Sequence, residues 1–311
     1  MDKMATREAY GRALAEFGEQ YDFVVMDADL TKSTRTDLFK AKFPERHINC
    51  GIAEANMVTV AAGIATTGKT VFASSFAMFA AGRAFEPIRN AIGYPHLNVK
   101  VVGSHVGISV GEDGATHQCN EDIALMRSIP GMVVMSPSDP VTTRLCVKAA
   151  IEHDGPCYIR TGRNPVPNVD GREDVDFTLG RGIVVRDGTD VTLVATGYML
   201  HNAVAAADLL AEEGVSAAVL EIHTIKPLDD ELIAAYAKKT GAIVTAEEHN
   251  IRGGLGSAVC ESVCASGPVP VKMVGMPDSF GRSGKFLELF EYYHMTAQDI
   301  AAAAREVLAK K

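Results

Sequence analysis

Short runs of β-branched and apolar residues alternate with longer helical stretches along the whole chain, and this alternation constrains the fold more than any other feature. Runs at 23–27, 71–73, 99–102, 132–135 and 157–159 read as strands, and 54–66, 80–90 and 140–152 read as the helices between them. Such a rhythm builds a parallel sheet, because parallel neighbours need a crossover long enough to hold a helix. The pattern lapses in the polar stretch GRNPVPNVDG, residues 162–171, which reads as a linker. It then resumes, with strands at 191–195, 217–221, 243–247 and 271–274 and helices at 201–213, 229–239, 256–265 and 296–310. The expectation is an α/β protein of two parallel-sheet domains, 1–168 and 176–311. A length of 311 residues suits two domains.

Composition removes several classes of function. With 47% hydrophobic and 22% charged residues the chain can bury a large core, so disorder is excluded. A net charge of −9 has the wrong sign for a binder of phosphate backbones, and no nucleic-acid partner is expected. The first residues, MDKMATREAYGRALAEFG, spread charges through an amphipathic pattern and do not read as a signal peptide. No segment approaches the ~18 apolar residues of a membrane span, so no membrane association is expected. The six cysteines are scattered, with only Cys260 and Cys264 one helical turn apart, and none completes a metal spacing. Reduced cysteines in a cytoplasmic protein are the expectation.

The unusual polar residues lie where the first domain's strands end, the place where open α/β sheets bind ligands. Asp27-Ala-Asp29 closes the first strand and runs into the hydroxyl- and cation-rich TKSTRT, where Ser33 could donate to an anion. Glu54 opens an otherwise apolar helix within GIAEANM. An ionised carboxylate is costly in such surroundings, so its pKa is expected to rise. An acid in a first helical turn is also simply favourable with the helix dipole. The segment GSHVGISVGEDGATHQ, residues 103–118, follows a strand, and its glycines permit close backbone approach to a ligand. His105, Asp113 and His117 within it could act in acid–base chemistry or hydrogen bonding. The competing reading is a polar turn with surface histidines. Their spacing fits no common zinc arrangement, and no metal ligands are assigned. The GGLG turn at 253–256 could cradle a phosphate at a helix start, but the rest of a dinucleotide fingerprint is missing. A tight turn that packs a helix on its sheet is expected there.

The segments DADLTKST, INCGIAEANM, SSFAMFAAGRAFEPIR, GSHVGISVGEDGATHQ and YIRTGR resemble the C-terminal half of transketolase, in the family's order and with similar spacing. EIHTIKPLD and GRSGK extend the resemblance through the second domain, so it covers essentially the whole chain. It implies an enzyme of carbohydrate metabolism, such as the pentose phosphate pathway, that moves a two-carbon ketol unit from a ketose phosphate donor to an aldose phosphate acceptor. Thiamine diphosphate is the implied cofactor. By this resemblance Glu54 matches the glutamate that hydrogen-bonds the aminopyrimidine N1′. Phe76 and Phe79 match the aromatic pocket around the pyrimidine, with Asp29 and Arg83 close to it. Arg7, Ser33, His105 and Arg163 match positions that hold the sugar phosphate. Asp113 matches the aspartate that reads a hydroxyl of the sugar, and His117 a catalytic position beside the reacting carbonyl.

The family's diphosphate-binding domain, with its GDG…N metal motif, has no counterpart in this sequence. The resemblance therefore implies one subunit of a split transketolase. A separate N-terminal-half subunit would supply the diphosphate contacts and the Mg2+ (or Ca2+), in an α2β2 assembly. The β subunit of a 2-oxoacid dehydrogenase E1 component and deoxyxylulose-phosphate synthase share the two-domain plan. The GEDGATHQ loop and the phosphate-binding set favour transketolase over both. They also argue, with Glu54 and the two phenylalanines, against a non-catalytic partner that merely kept the fold.

Overall fold

Parallel strands covered on both faces need side chains that are apolar in both directions, and the chain supplies such runs in order. In this computed structural model, which describes residues 3–311, the first part of the chain contributes β1 (Met4–Ala5), β2 (Phe23–Asp27), β3 (His47–Asn49) and β4 (Thr70–Phe76). It continues with β5 (Val99–Ser104), β6 (Val133–Met135), β7 (Cys157–Thr161) and β8 (Pro165–Val166). Then come β9 (Ile183–Arg186), β10 (Val191–Ala195), β11 (Ala217–Glu221), β12 (Thr224–Lys226), β13 (Ile243–Asn250) and β14 (Val271–Met276). Seven strands form one sheet in the order β12-β6-β7-β5-β4-β2-β3, and five form a second in the order β14-β13-β10-β11-β9. Each sheet is parallel except at one edge, where β12 runs antiparallel to β6 and β9 antiparallel to β11. The protein is an α/β fold of two parallel-sheet domains.

The pleat sends successive side chains to opposite faces, and each face has its own core. Phe23, Val25 and Phe72 meet Tyr10, Leu14 and Phe17 of the helix Thr6–Phe17 and Cys146 and Val147 of the helix Pro140–Glu152. Met26, Val71 and Ala73 face the other way, onto Met57, Val58 and Ala61 of the helix Glu54–Ala65. That second core is continuous with Val194, Leu220, Leu255 and Val259 of the second domain. The two domains therefore share buried apolar surface.

Three stretches depart from the periodicity reading. Residues 80–90, expected as one helix, fall into wide π-type turns at Met78–Arg83 and Ile88–Gly93 around a short helix, Phe85–Pro87. Pro87 lacks the N–H that a regular helix would use there, and widened turns of this kind are frequent at functional sites. Residues 162–171 are not a free linker. Pro165 and Val166 pair with Ala5 and Met4, and the Val169 N–H donates to the buried Asp139 carboxylate at 3.0 Å. Finally, Thr224–Lys226 lies late in the chain yet joins the first sheet. Ile225 is buried there, and Lys226 Nζ donates to the Arg127 and Ile129 carbonyls at 2.8 and 2.5 Å.

The seam between the domains also holds a buried ion pair. Arg160 grips Asp122 bidentately, at 2.7 and 3.0 Å, while Tyr158 Oη donates to Asp122 at 2.8 Å. Arg160 also donates to the Glu248 carbonyl of the second domain at 3.0 Å. Removing one partner of such a pair leaves an uncompensated buried charge. Arg160→Leu should therefore lower the stability read from guanidinium denaturation by about 3–5 kcal/mol. A loss below about 1 kcal/mol, the range of exposed pairs, would contradict this account.

Candidate functional site

Glu54 owes its position to a tight turn. After β3 the Asn49 side chain accepts the Gly51 N–H at 2.8 Å, and the Ala53 N–H returns to the Gly51 carbonyl at 2.8 Å. Gly51 has φ +67, a conformation that favours glycine. The helix Glu54–Ala65 then starts with the Glu54 carboxylate at its N-terminus, only 2% exposed. The apolar sequence around Glu54 suggests an unpaired carboxyl, but the structure supplies a cation. Arg83 Nη1 donates to Glu54 Oε2 at 3.1 Å, and the guanidinium lies over the Phe79 ring, 5.0 Å from its centroid. The π-type turn Met78–Arg83 places both Phe79 and Arg83 on this side.

An aromatic cluster continues from there. Phe76, the last residue of β4, stacks on Phe79 with centroids 5.9 Å apart. His105 lies 4.0 Å from Phe76, and His117 stands edge-on to Phe79 at 5.2 Å. His105 follows β5 with φ +58, an uncommon conformation for a residue other than glycine and one that tends to mark functional positions. Its Nδ1 lies 2.8 Å from Ser104 Oγ, and its Nε2 faces Arg7 Nη1 at 3.4 Å. Burial, reinforced by the positive charges of Arg7 and Arg163, drives the His105 pKa down from 6.5 to about 3. The ring is therefore neutral at ordinary pH, able to hydrogen-bond but not to add charge.

The remaining polar residues form a cationic wall. Arg7 donates to the backbone carbonyl of Ser33 at 2.8 Å, which brings Arg7, Ser33 and His105 together. Arg163 follows β7 and donates to the Val110 carbonyl at 2.5 Å. Its guanidinium also faces the carboxylates of Glu112 and Asp113 at 3.7 and 4.0 Å, so an incoming anion must compete with them. Asp29, at φ +62, takes no part in these contacts. Its N–H donates to the Asn49 side chain at 3.2 Å, and the residue shares a shallow surface depression with Ser33, Lys32 and Lys40. Among the described residues no three His, Cys, Asp or Glu side chains are grouped to hold a metal ion.

Two buried clusters escaped the sequence reading. Asp27, at the end of β2, receives hydrogen bonds from Thr31 and Thr36 at 2.8 and 3.1 Å and faces His47 at 2.8 Å. Burial alone would raise its pKa, but these partners outweigh burial and hold it below the usual range. The second cluster is Glu247, Glu248 and His249 at the end of β13, all buried. The available signal was three ionisable residues in a row within the otherwise apolar IVTAEEHN.

A carboxylate facing a cation and an aromatic stack, set near the carboxyl ends of parallel strands, defines an enzyme-like site. Comparison with known proteins gives the family. The transketolase pyrimidine-binding domain matches residues 2–168, and the transketolase C-terminal domain matches residues 180–300. The chain belongs to the transketolase family. A Methanocaldococcus jannaschii chain provisionally named a transketolase C-terminal section is 47% identical over 308 residues, covering 98% of this chain and 96% of that one. A 6-deoxy-6-sulfo-D-fructose transketolase subunit of Clostridium sp. is 43% identical over 306 residues, covering 98% and 95%. A solved structure described as an inactive β4 tetramer of a split-gene transketolase superposes with a TM-score of 0.91 at 50% identity, covering 99% of both chains.

The environment of His105 gives a direct check on these electrostatics. Burial and cationic neighbours disfavour the protonated ring, so the folded chain takes up that proton only well below pH 6.5, whereas the unfolded chain takes it up near 6.5. His105 thus withdraws stability as the pH falls below 6.5. Its imidazole NMR shifts in the unliganded chain should stay constant from pH 8 to pH 5, within the roughly 5–8 window in which unperturbed histidines titrate. A midpoint near 6.5 would contradict the burial argument.

Proposed function

We propose that this chain is the pyrimidine-side subunit of a two-subunit, thiamine diphosphate-dependent transketolase. It would transfer a two-carbon ketol unit from a ketose phosphate to an aldose phosphate. The observation that carries this reading is one continuous surface on which Glu54 and the Phe76–Phe79 stack meet the cationic wall of Arg7 and Arg163 through His105. The donor set fits an aminopyrimidine: a buried carboxyl for one edge and an aromatic surface of Phe76 and Phe79 for the ring to pack on.

Thiamine diphosphate, when bound, supplies the carbanion chemistry that carries the two-carbon unit. Glu54 holds and exchanges a proton at the pyrimidine N1′, a task that needs an ionisable group in a water-poor setting. Phe76 and Phe79 give the ring an apolar seat. Arg83 completes the cofactor side, held against both Glu54 and Phe79, while Asp29 lies apart from these contacts. Arg7 and Arg163 make charge-assisted contacts to the sugar phosphate, while His105 and Ser33 add hydrogen bonds. Asp113 accepts from a hydroxyl of the sugar, and His117 moves a proton beside the reacting carbonyl. The Clostridium relative is named for a sulfonated ketose, and the same cationic set suits any tetrahedral anion at the end of a sugar.

A second subunit would complete the site with diphosphate contacts and Mg2+ (or Ca2+), in an α2β2 assembly acting in the cytoplasm. Relatives of matching length that are named as subunits support this reading, as does the solved split-gene tetramer described as inactive. So does Ile52, two residues before Glu54, which is 77% exposed. An apolar side chain this exposed next to a candidate site suits burial against a protein partner.

Reconstitution tests the reading. Mixing the chain with an N-terminal-half transketolase subunit should produce ketol transfer that neither chain shows alone, and turnover by this chain alone would sink it. In the mixture, Glu54→Gln should cut kcat by about two to four powers of ten, because an amide cannot exchange the proton. Deuterium exchange at the C2 position of bound thiamine diphosphate, followed by quenching and NMR, should slow in parallel. Exchange at the unmodified rate would reduce Glu54 to a helix-start carboxylate. Arg163→Ala should raise KM for phosphorylated sugars about ten- to a hundredfold while sparing unphosphorylated ones. Equal effects on both would remove Arg163 from an anion site.

A further inference from the structure

Residues 105–118 carry His105, Asp113 and His117, yet much of what fixes their path comes from the other domain. Strand β13 ends in four polar residues, and each holds a different stretch of backbone. Glu247 accepts the Leu255 and Gly256 N–H groups at 2.7 and 2.8 Å, capping a helix of its own domain. Glu248 points the other way and accepts the Ser109 N–H at 2.6 Å. His249 Nε2 accepts the Ala124 N–H at 3.3 Å, and the Asn250 N–H donates to the Asn120 carbonyl at 2.8 Å.

The loop is shaped to receive Glu248. Gly107 has φ +64, and a Cβ there would lie 2.3–2.4 Å from the Glu248 carboxyl group, so only glycine allows this approach. On the first-domain side, Asn164 donates to the Ser109 carbonyl at 2.7 Å and Arg163 to the Val110 carbonyl at 2.5 Å. Gln118 closes the loop, donating to the Ile108 carbonyl at 3.3 Å and across the seam to the Arg282 carbonyl at 2.9 Å. Glu248 is 3% exposed, and burial pushes its carboxyl up to about 7 against the opposing pull of the Ser109 N–H and Arg160. In either protonation state an oxygen remains to accept the Ser109 N–H.

We propose that Glu248 is a positioning residue for ketol transfer, tying the 105–118 loop to the second domain so that Asp113 and His117 stand correctly for the sugar. It touches neither sugar nor cofactor in this account and acts only through Ser109. The proposal rests on the transketolase reading above for its substrate, while the tether itself does not.

The test separates the two. Glu248→Met keeps the side-chain volume and removes the acceptor, whereas Glu248→Gln keeps an acceptor of the same shape. In the enzyme reconstituted with its N-terminal-half subunit, the methionine variant should raise KM for the sugar phosphates about ten- to a hundredfold. Deuterium exchange at C2 of bound thiamine diphosphate, which depends on Glu54, should stay at the unmodified rate. The glutamine variant should bring KM back to within about threefold. Amide hydrogen exchange, followed by mass spectrometry, should quicken in peptides of the 105–118 loop while β4 keeps its protection. Glu248→Ala takes the place of the methionine variant should that one not fold. Unchanged KM with unchanged loop exchange would overturn the proposal. So would a fall in C2 exchange as deep as the fall in turnover, or quickened amide exchange throughout the domain, since either marks general damage. An unmodified complex that transfers no ketol unit would overturn the functional reading instead, and the loop's amide exchange would still decide the tether.

Discussion

The antiparallel pairing of β12 with β6 is the contact on which the rest of the arrangement depends. Three residues from the second half of the chain finish the first half's sheet, and Lys226 anchors them by capping two carbonyls at the end of the helix Asp122–Arg127. One apolar core cluster runs from Met26 of the first domain to Val259 of the second. The buried pair Arg160–Asp122 then lies inside a closed seam. An ion pair in such a place costs desolvation and is weak evidence for stability by itself. What it does supply is a fixed orientation of the Arg160 guanidinium, which reaches across the seam to the Glu248 carbonyl and so registers one domain against the other.

That registration matters because the candidate site is assembled from strand ends rather than from one segment. Phe76 ends β4, His105 follows β5, Arg163 follows β7, and Glu54 follows β3 through a four-residue turn. Parallel strands bring these ends to one edge of the sheet, and the aromatic contacts between Phe76, Phe79, His105 and His117 bind them into a single surface. The charges on this surface act against one another. Arg7 and Arg163 each depress the affinity of His105 for a proton, so positive charge is concentrated on two guanidiniums that cannot lose it.

The sequence made the strand-and-helix rhythm legible because period and turn chemistry are local. Pro140–Glu152 can be read from its pattern, with Asp139 ready to cap it through Thr142. Glu54 also stood out locally, as a lone acid in an apolar helix. What stayed hidden were features created by contacts distant in the chain. Nothing near Thr224 says that it will pair with Met135, and nothing near Pro165 says that it will pair with Ala5. The π-type turns around Phe79 answer to packing that overrides an acceptable helical pattern. The cation opposite Glu54 was named only through family resemblance, since Arg83 alone looks like any surface arginine. Glu248 gave no local sign of its reach across the domain seam to Ser109.

Arg163 shows how an unliganded site can hold itself in reserve. Its guanidinium is flanked by two exposed carboxylates, Glu112 and Asp113, carried on the same loop whose carbonyl it also binds. Tethered on that loop, these carboxylates offset part of the guanidinium's charge, though an exposed pairing of this kind is weak. The loop beside Arg163 thus presents to solvent one cation set against two anions.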